Sequence, residues 1–283
     1  MKLKKLLSHD FIEEFSAHLS TEFENELFVS ALRNYCSHGN PLRFHNFAFA
    51  MRELLRHVLD RKAPDTKVRK CIWFSPQLDN PEKATRGQKL KYCMQGGIQD
   101  HLLSEEIRED VKEFISGYQD QIEALNSYTH IGEAKLRISP KSSYQSLKKV
   151  IVTFNNAMSI IEDGKSDVLD HIPETLFDYV RDELTNEIPN CLDELSSHSV
   201  IDWVDFEGFQ VVDVDEQFLY ITGDGTVHVT LQYGSSSDLK RGDGAIINDS
   251  FPLQFDCKAR ANKPKGAFVV KESISVITDS WAE

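Results

Sequence analysis

The stretch NPLRFHNFAFAMRELLRHVLD, residues 40–60, decides how the rest of the chain is read. At 100° per residue, Phe47, Met51, Leu54, Leu55, Val58 and Leu59 fall on one broad apolar arc, which predicts a helix buried along one side. Asn40 and Pro41 predict its start. An Asn side chain accepts from the unpaired N–H groups of a first turn, and a proline at the first helical position forfeits no hydrogen bond. The opposite side is polar in two stripes, one of Arg43, Asn46, Glu53 and His57 and one of His45, Arg52 and Arg56. These groups read either as a solvated face, with Glu53 paired to His57 one turn on, or as a surface that binds an anion and moves a proton.

Outward from this helix the pattern stays helical for most of the chain. Residues 10–36 predict one helix through Phe11, Phe15, Leu19, Phe23, Leu27 and Leu32, closed by Ser37-His38-Gly39. Arg61 to Pro81 reads as a loop whose apolar island, Cys71-Ile72-Trp73-Phe74, is either a buried anchor or a platform for stacking bases. A helix carrying Arg86 and Lys89 starts at Thr85 and ends near Gly96-Gly97. Another spans 104–127 and runs into Tyr128-Thr129-His130, followed by helices at 143–161 and 166–196, the last broken by Pro173 and Pro189.

From Ile201 the apolar period changes to alternation, with Gly223-Asp224-Gly225 and Gly242-Asp243-Gly244 as expected turns between strands. The predicted fold class is α+β. An N-terminal all-α bundle at 1–196 precedes a small antiparallel, β-sandwich-like domain at 197–283.

Net charge narrows the function. At −13 the chain is a poor general coat for duplex DNA, which needs many Lys and Arg. Arg43 to Lys91 nevertheless holds 12 Lys or Arg against 5 Asp or Glu, so the remainder carries −20. A basic segment in an acidic chain attracts a local phosphate backbone, unless acidic helices of the same chain neutralise it. Five scattered cysteines without a CxxC pair predict reduced thiols. The apolar run of MKLKKLL stops at Ser8-His9-Asp10, and no later stretch is apolar enough to cross a bilayer, so a cytoplasmic protein without membrane contact is expected.

The hexapeptide Arg33 to His38 resembles the R-x4-6-H motif of HEPN ribonucleases, and Arg52 to His57 is a second match. That resemblance implies an Arg on the scissile phosphate, a His in acid–base chemistry, no metal or other cofactor, and a homodimer pairing two motifs. Tyr128-Thr129-His130 also resembles the tail of a HEPN-type helix. Glu123, Ala124 and Leu125 occupy the places of its upstream Arg, so an Arg of the central helix would fill that role.

Longer blocks carry a more specific likeness. NPLRFHNFAFAMRELLRHVL at 40–59, CIWF at 71–74, TRGQKLKYCMQGG at 85–97, YTH at 128–130, LQYGSSSD at 231–238 and GDGAIINDSFP at 242–252 resemble the predicted pPIWI-associating nucleases of bacterial defence neighbourhoods. The resemblance implies a helical nuclease domain joined to a C-terminal β module in an antiviral setting.

The resulting expectation is a nuclease acting on RNA or single-stranded nucleic acid without metal. His57 and His130 move protons, Glu53 orients His57, Arg52 acts on the phosphate, and Arg43, Arg56, Arg86 and Lys89 bind nucleic acid. Two alternatives stand beside it. One is a sensor or adaptor that binds another defence-system protein through the β domain. The other is a metal-dependent nuclease using Asp243, Asp256 and Lys258, which have the order of a D…(D/E)xK site.

Overall fold

The computed structural model describes residues 2–129, 139–172, 180–182, 184, 198–262 and 269–278. The architecture is α+β, helical first and then a four-stranded antiparallel sheet. The chain forms two compact units.

The first unit comprises Met1–Arg69, Phe74–Gln95 and Glu105–Asp167. Its helices are α1 (Leu3–Leu7), α2 (Asp10–Ala17), α3 (Glu22–Tyr35), α4 (Arg43–Lys62), the single turn α5 (Asp65–Val68), α6 (Arg86–Gln95), α7 (Glu105–Thr129) and α8 (Pro140–Asp170). Helix α4 is the centre of this unit. It packs against α3, α6 and α7, and 10 of its 20 residues are buried, including all six of the predicted arc. His45 is buried with them, its ring edge-on to Phe44, although the sequence places it on a polar stripe. With neighbours on three sides, the buried face is wider than a one-sided helix needs.

The helix expected over 10–36 is broken at His18 to Thr21. Thr21 caps α3: its hydroxyl accepts from Glu24 N–H at 3.1 Å while the Glu24 carboxylate accepts from Thr21 N–H at 3.3 Å and Ser20 N–H at 3.0 Å. That reciprocal pair is the T-x-x-E signature of a new helix start. Glu24 is itself buried and holds Arg61 Nε at 2.7 Å, which ties α3 to the end of α4. The break expected between 161 and 166 does not occur. Helix α8 continues through Gly164, where an added Cβ would meet the Met94 methyl at 2.5 Å, so this glycine admits α6 rather than ending the helix.

The second unit comprises Lys70–Trp73, Gly96–Ser104 and Val168–Glu283. Its strands are β1 (His198–Val214), β2 (Phe218–Tyr233), β3 (Ala245–Arg260) and β4 (Val269–Val276), in the order β1-β2-β3-β4 in one sheet, with the short helix α9 (Ser236–Arg241) between β2 and β3. Trp73 is the anchor of its island, its indole N–H donating to Gly96 O at 2.8 Å.

Gly223-Asp224-Gly225 is not a turn; β2 runs straight through it. A Cβ on Gly223 would lie 2.0 Å from Gly208 O and 2.3 Å from the Phe255 ring, and one on Gly225 would lie 2.4 Å from Asp205 O. These glycines let neighbouring strands approach closely. Gly242 does act as a stop, closing α9 at φ +83°. Among the described residues no helix is long and apolar enough to cross a membrane.

Candidate phosphate-binding pocket

One helix face delivers the largest share of the site. Arg52, Leu55, Arg56, Leu59 and Asp60 recur at three- and four-residue steps along α4 and line one side of a cavity of about 210 Å³. Tyr118 and Ile122, one turn apart on α7, supply an apolar wall. Asp65 opens α5, and Lys83, Ala84, Arg86 and Lys89 complete the lining from α6 and the loop before it. That loop is fixed at several points. Asp65 accepts from Ala84 N–H at 2.9 Å, and Arg69 pairs with Glu82. The Gln88 amide donates to Ser75 O at 2.6 Å. Thr85 and Gln88 cap the start of α6 reciprocally, at 2.8 and 3.1 Å.

The cations fall into two groups. Lys89 is buried, with Nζ 2.6 Å from Asp60 and 3.0 Å from Asp65. Burial alone would lower its pKa, but the two carboxylates outweigh that and hold it above the usual lysine value. Burial likewise pushes Asp65 up, yet the Ala84 N–H and Lys89 bring it below the usual carboxylate value. Arg56 spans Glu53 and Asp60 at 3.1 and 3.3 Å, and Arg52 reaches the other Glu53 oxygen at 3.2 Å. Lys83 and Arg86, both exposed, have no carboxylate within salt-bridge distance among the described residues. Three salt-bridged cations, Arg52, Arg56 and Lys89, thus share the cavity with two that make no salt bridge, of which Lys83 acts on Asp65 at longer range.

Of the residues singled out from sequence, Arg52, Arg56, Arg86 and Lys89 come together in this cavity. Arg43 does not. It stands 13 residues from Arg56, roughly 20 Å along the helix at 1.5 Å per residue, where its guanidinium covers Tyr35 and donates to His38. Glu53 and His57 are not paired with one another. Glu53 is held between the two arginines, whose charges overcome its burial and lower its pKa. The His57 ring lies edge-on to Phe23 at 4.8 Å, outside the lining, with Nε2 3.5 Å from Arg56 Nη2 at the rim. His130 lies outside the described residues.

Sequence reasoning missed Asp60, Asp65, Lys83 and Tyr118. Asp60 was accessible as the i+4 partner of Arg56, whereas Asp65 and Tyr118 reach the site only through the fold.

The other groupings serve less well. Asp243 and Asp256 sit near opposite ends of β3, and 13 extended residues span roughly 40 Å, so they share no cation; Asp256 accepts from Ser273 and Lys258 lies over Tyr220. Two roomier hollows, of about 560 Å³ each, carry carboxylates instead: Asp110 and Glu113 between α7 and α8, Asp224 and Asp256 on the sheet. Both repel phosphate. Burial pushes the Cys93 and Cys257 thiols up to about 12, which keeps them neutral and poor nucleophiles.

Two family models match the chain, one over residues 16–154 and the other over residues 161–282, and both carry the description predicted pPIWI-associating nuclease. No curated protein and no solved structure matches.

Proposed function

Since this chain belongs to the predicted pPIWI-associating nuclease family, we propose that it is a defence nuclease that grips RNA or single-stranded nucleic acid in the α4–α6–α7 pocket. The observation that carries the reading is the convergence of Arg52, Arg56, Arg86 and Lys89 on one small cavity. Guanidinium groups bind phosphate through paired N–H donors; Arg52 is half-buried, and Arg56 and Arg86 are open to an incoming strand. Glu53 holds Arg52 and Arg56, so their forks are set before the nucleic acid arrives.

In this reading the cleavage step is acid–base chemistry without a metal. Arg52 and Arg56 steady the charge that grows on the phosphate, while His57 at the rim and His130 after α7 transfer the protons. Glu53 acts on His57 through Arg56 rather than directly. Residues 1–196 house the reaction, and the β module serves recognition of other defence-system proteins.

The test is cleavage and binding of a labelled single-stranded RNA. Arg56→Ala and Arg86→Ala are each expected to weaken binding about tenfold or more. His57→Ala and His130→Ala are expected to abolish cleavage with binding kept, and EDTA to leave cleavage intact. Full binding in both arginine variants would remove the pocket from the account.

An adaptor function is favoured by one separate feature. Val200, Trp203 and Ile246 are exposed on one face of the sheet, where Trp203 stacks on His228 at 4.3 Å. Growth arrest with RNA fragmentation on expression supports the nuclease; a folded protein that binds a defence partner and no RNA supports the adaptor.

A further inference from the structure

The charge balance of the pocket says more about its ligand than its sign does. Five cationic side chains line it, and three carboxylates touch them: Asp60, Asp65 and Glu53. Two positive charges remain. Lys83 and Arg86, three positions apart at the entrance to α6, are the two of the five that make no salt bridge among the described residues, Lys83 acting on Asp65 only at longer range. An internal phosphodiester carries one negative charge. A terminal phosphate monoester carries close to two at pH 7, with three free oxygens for donors.

Volume points the same way. At about 210 Å³ the cavity is smaller than the roughly 300 Å³ at which whole small-molecule sites begin. It admits one phosphate and part of the attached sugar, with Tyr118 and Ile122 against the sugar's apolar side. A base pair or a stacked run of bases does not enter.

We propose that the pocket recognises the phosphorylated end of a single strand, with Lys83 and Arg86 binding the terminal monoester and the Lys89–Asp60–Asp65 cluster forming the rigid floor beneath it. This rests on the nuclease reading above and sharpens its substrate class. It makes the protein an end reader, which selects strands that earlier cleavage by an enzyme leaving a terminal phosphate has already opened.

Three single-stranded oligonucleotides of one sequence, phosphorylated at the 5′ end, at the 3′ end or at neither, separate the possibilities by fluorescence anisotropy with the full chain. One phosphorylated form is expected to bind about tenfold more tightly than the unphosphorylated strand. Inorganic phosphate should remove that advantage, and so should lowering the pH through the monoester's second ionisation at about 6. Lys83→Gln should erase the preference and leave the weaker binding of the unphosphorylated strand, while Arg86→Gln should erase the preference and also weaken the binding of all three strands. Their circular dichroism should be unchanged, since both side chains are exposed.

Equal binding of all three strands overturns the terminal-phosphate proposal and leaves the nucleic-acid reading standing. Binding of none overturns both.

Discussion

Replacing Lys89 by Met keeps an unbranched buried side chain, one atom shorter, and removes the ammonium group with its hydrogen bonds. In the native pocket Nζ makes two short charged hydrogen bonds, 2.6 Å to Asp60 and 3.0 Å to Asp65. Each such bond contributes about 1.5–3 kcal/mol when shielded from water. Here the carboxylate ends are 39% and 31% exposed, so solvent screens them and the sum falls to about 2 kcal/mol. Lys89→Met also leaves two carboxylates facing one another across the vacated position.

The pH dependence follows from the two shifts. Lys89 sits above its usual value, so its contribution is complete below the ordinary lysine pKa of about 10.4 and fades as pH climbs through the raised one. Asp65 sits below its usual value, so its contribution is complete above about 3.9 and fades as pH falls through the lowered one. The cluster is therefore at full strength from about pH 4 to 10.

Urea unfolding followed by helical circular dichroism should show the variant about 2 kcal/mol less stable at pH 7, with the gap closing in acid. Asp60→Asn added to Lys89→Met should restore part of the loss, about 1 kcal/mol, by relieving the carboxylate pair. A variant as stable as the wild type at pH 7, with the same acid profile, would show that the cluster is not a structural floor.

Other perturbations test the fold around the site. Glu24→Gln should cost about 2 kcal/mol, because the buried carboxylate joins Thr21, Ser20 and Arg61. Burial raises the Glu24 pKa but Arg61 and the two N–H groups bring it below normal. Its contribution thus exists above the usual glutamate pKa and disappears as pH falls through the lowered value, and the variant's acid unfolding curve should be flatter. Gly223→Ala should destabilise the sheet by about 3 kcal/mol or more in thermal melts, since the new Cβ overlaps Gly208 O and Phe255. Gly117→Ala on α7, where nothing lies within 4 Å of the new Cβ, should raise stability by about 1 kcal/mol.

The sequence made α4 and its apolar arc legible because a 3.6-residue period records burial on one face directly. It recorded the cation stripe too, and the Arg52–Arg56 row faces the pocket. What it could not record is which carboxylate each cation meets. The spacing of Glu53 and His57 suggests a pair, but Arg52 and Arg56 lie closer in charge and reach, and they take both Glu53 oxygens. Lys89 meets Asp60 and Asp65 across 29 and 24 residues, a closure no local pattern announces.

The glycines were ambiguous for a related reason. Gly223 and Gly225 look like turn residues in one dimension and are strand-packing residues in three. The Thr21-to-Glu24 capping box, by contrast, was present in the residues and marks the helix break that the longer apolar pattern overrides.

The most direct measurement is a photocross-link from a single strand carrying one 4-thiouridine beside its phosphorylated end, mapped by mass spectrometry on the full chain. Attachment to the α7 peptide bearing Tyr118 and Ile122, or to the α6 peptide bearing Arg86 and Lys89, is the predicted result. Attachment confined to the β strands, with those helical peptides unmodified, would contradict it.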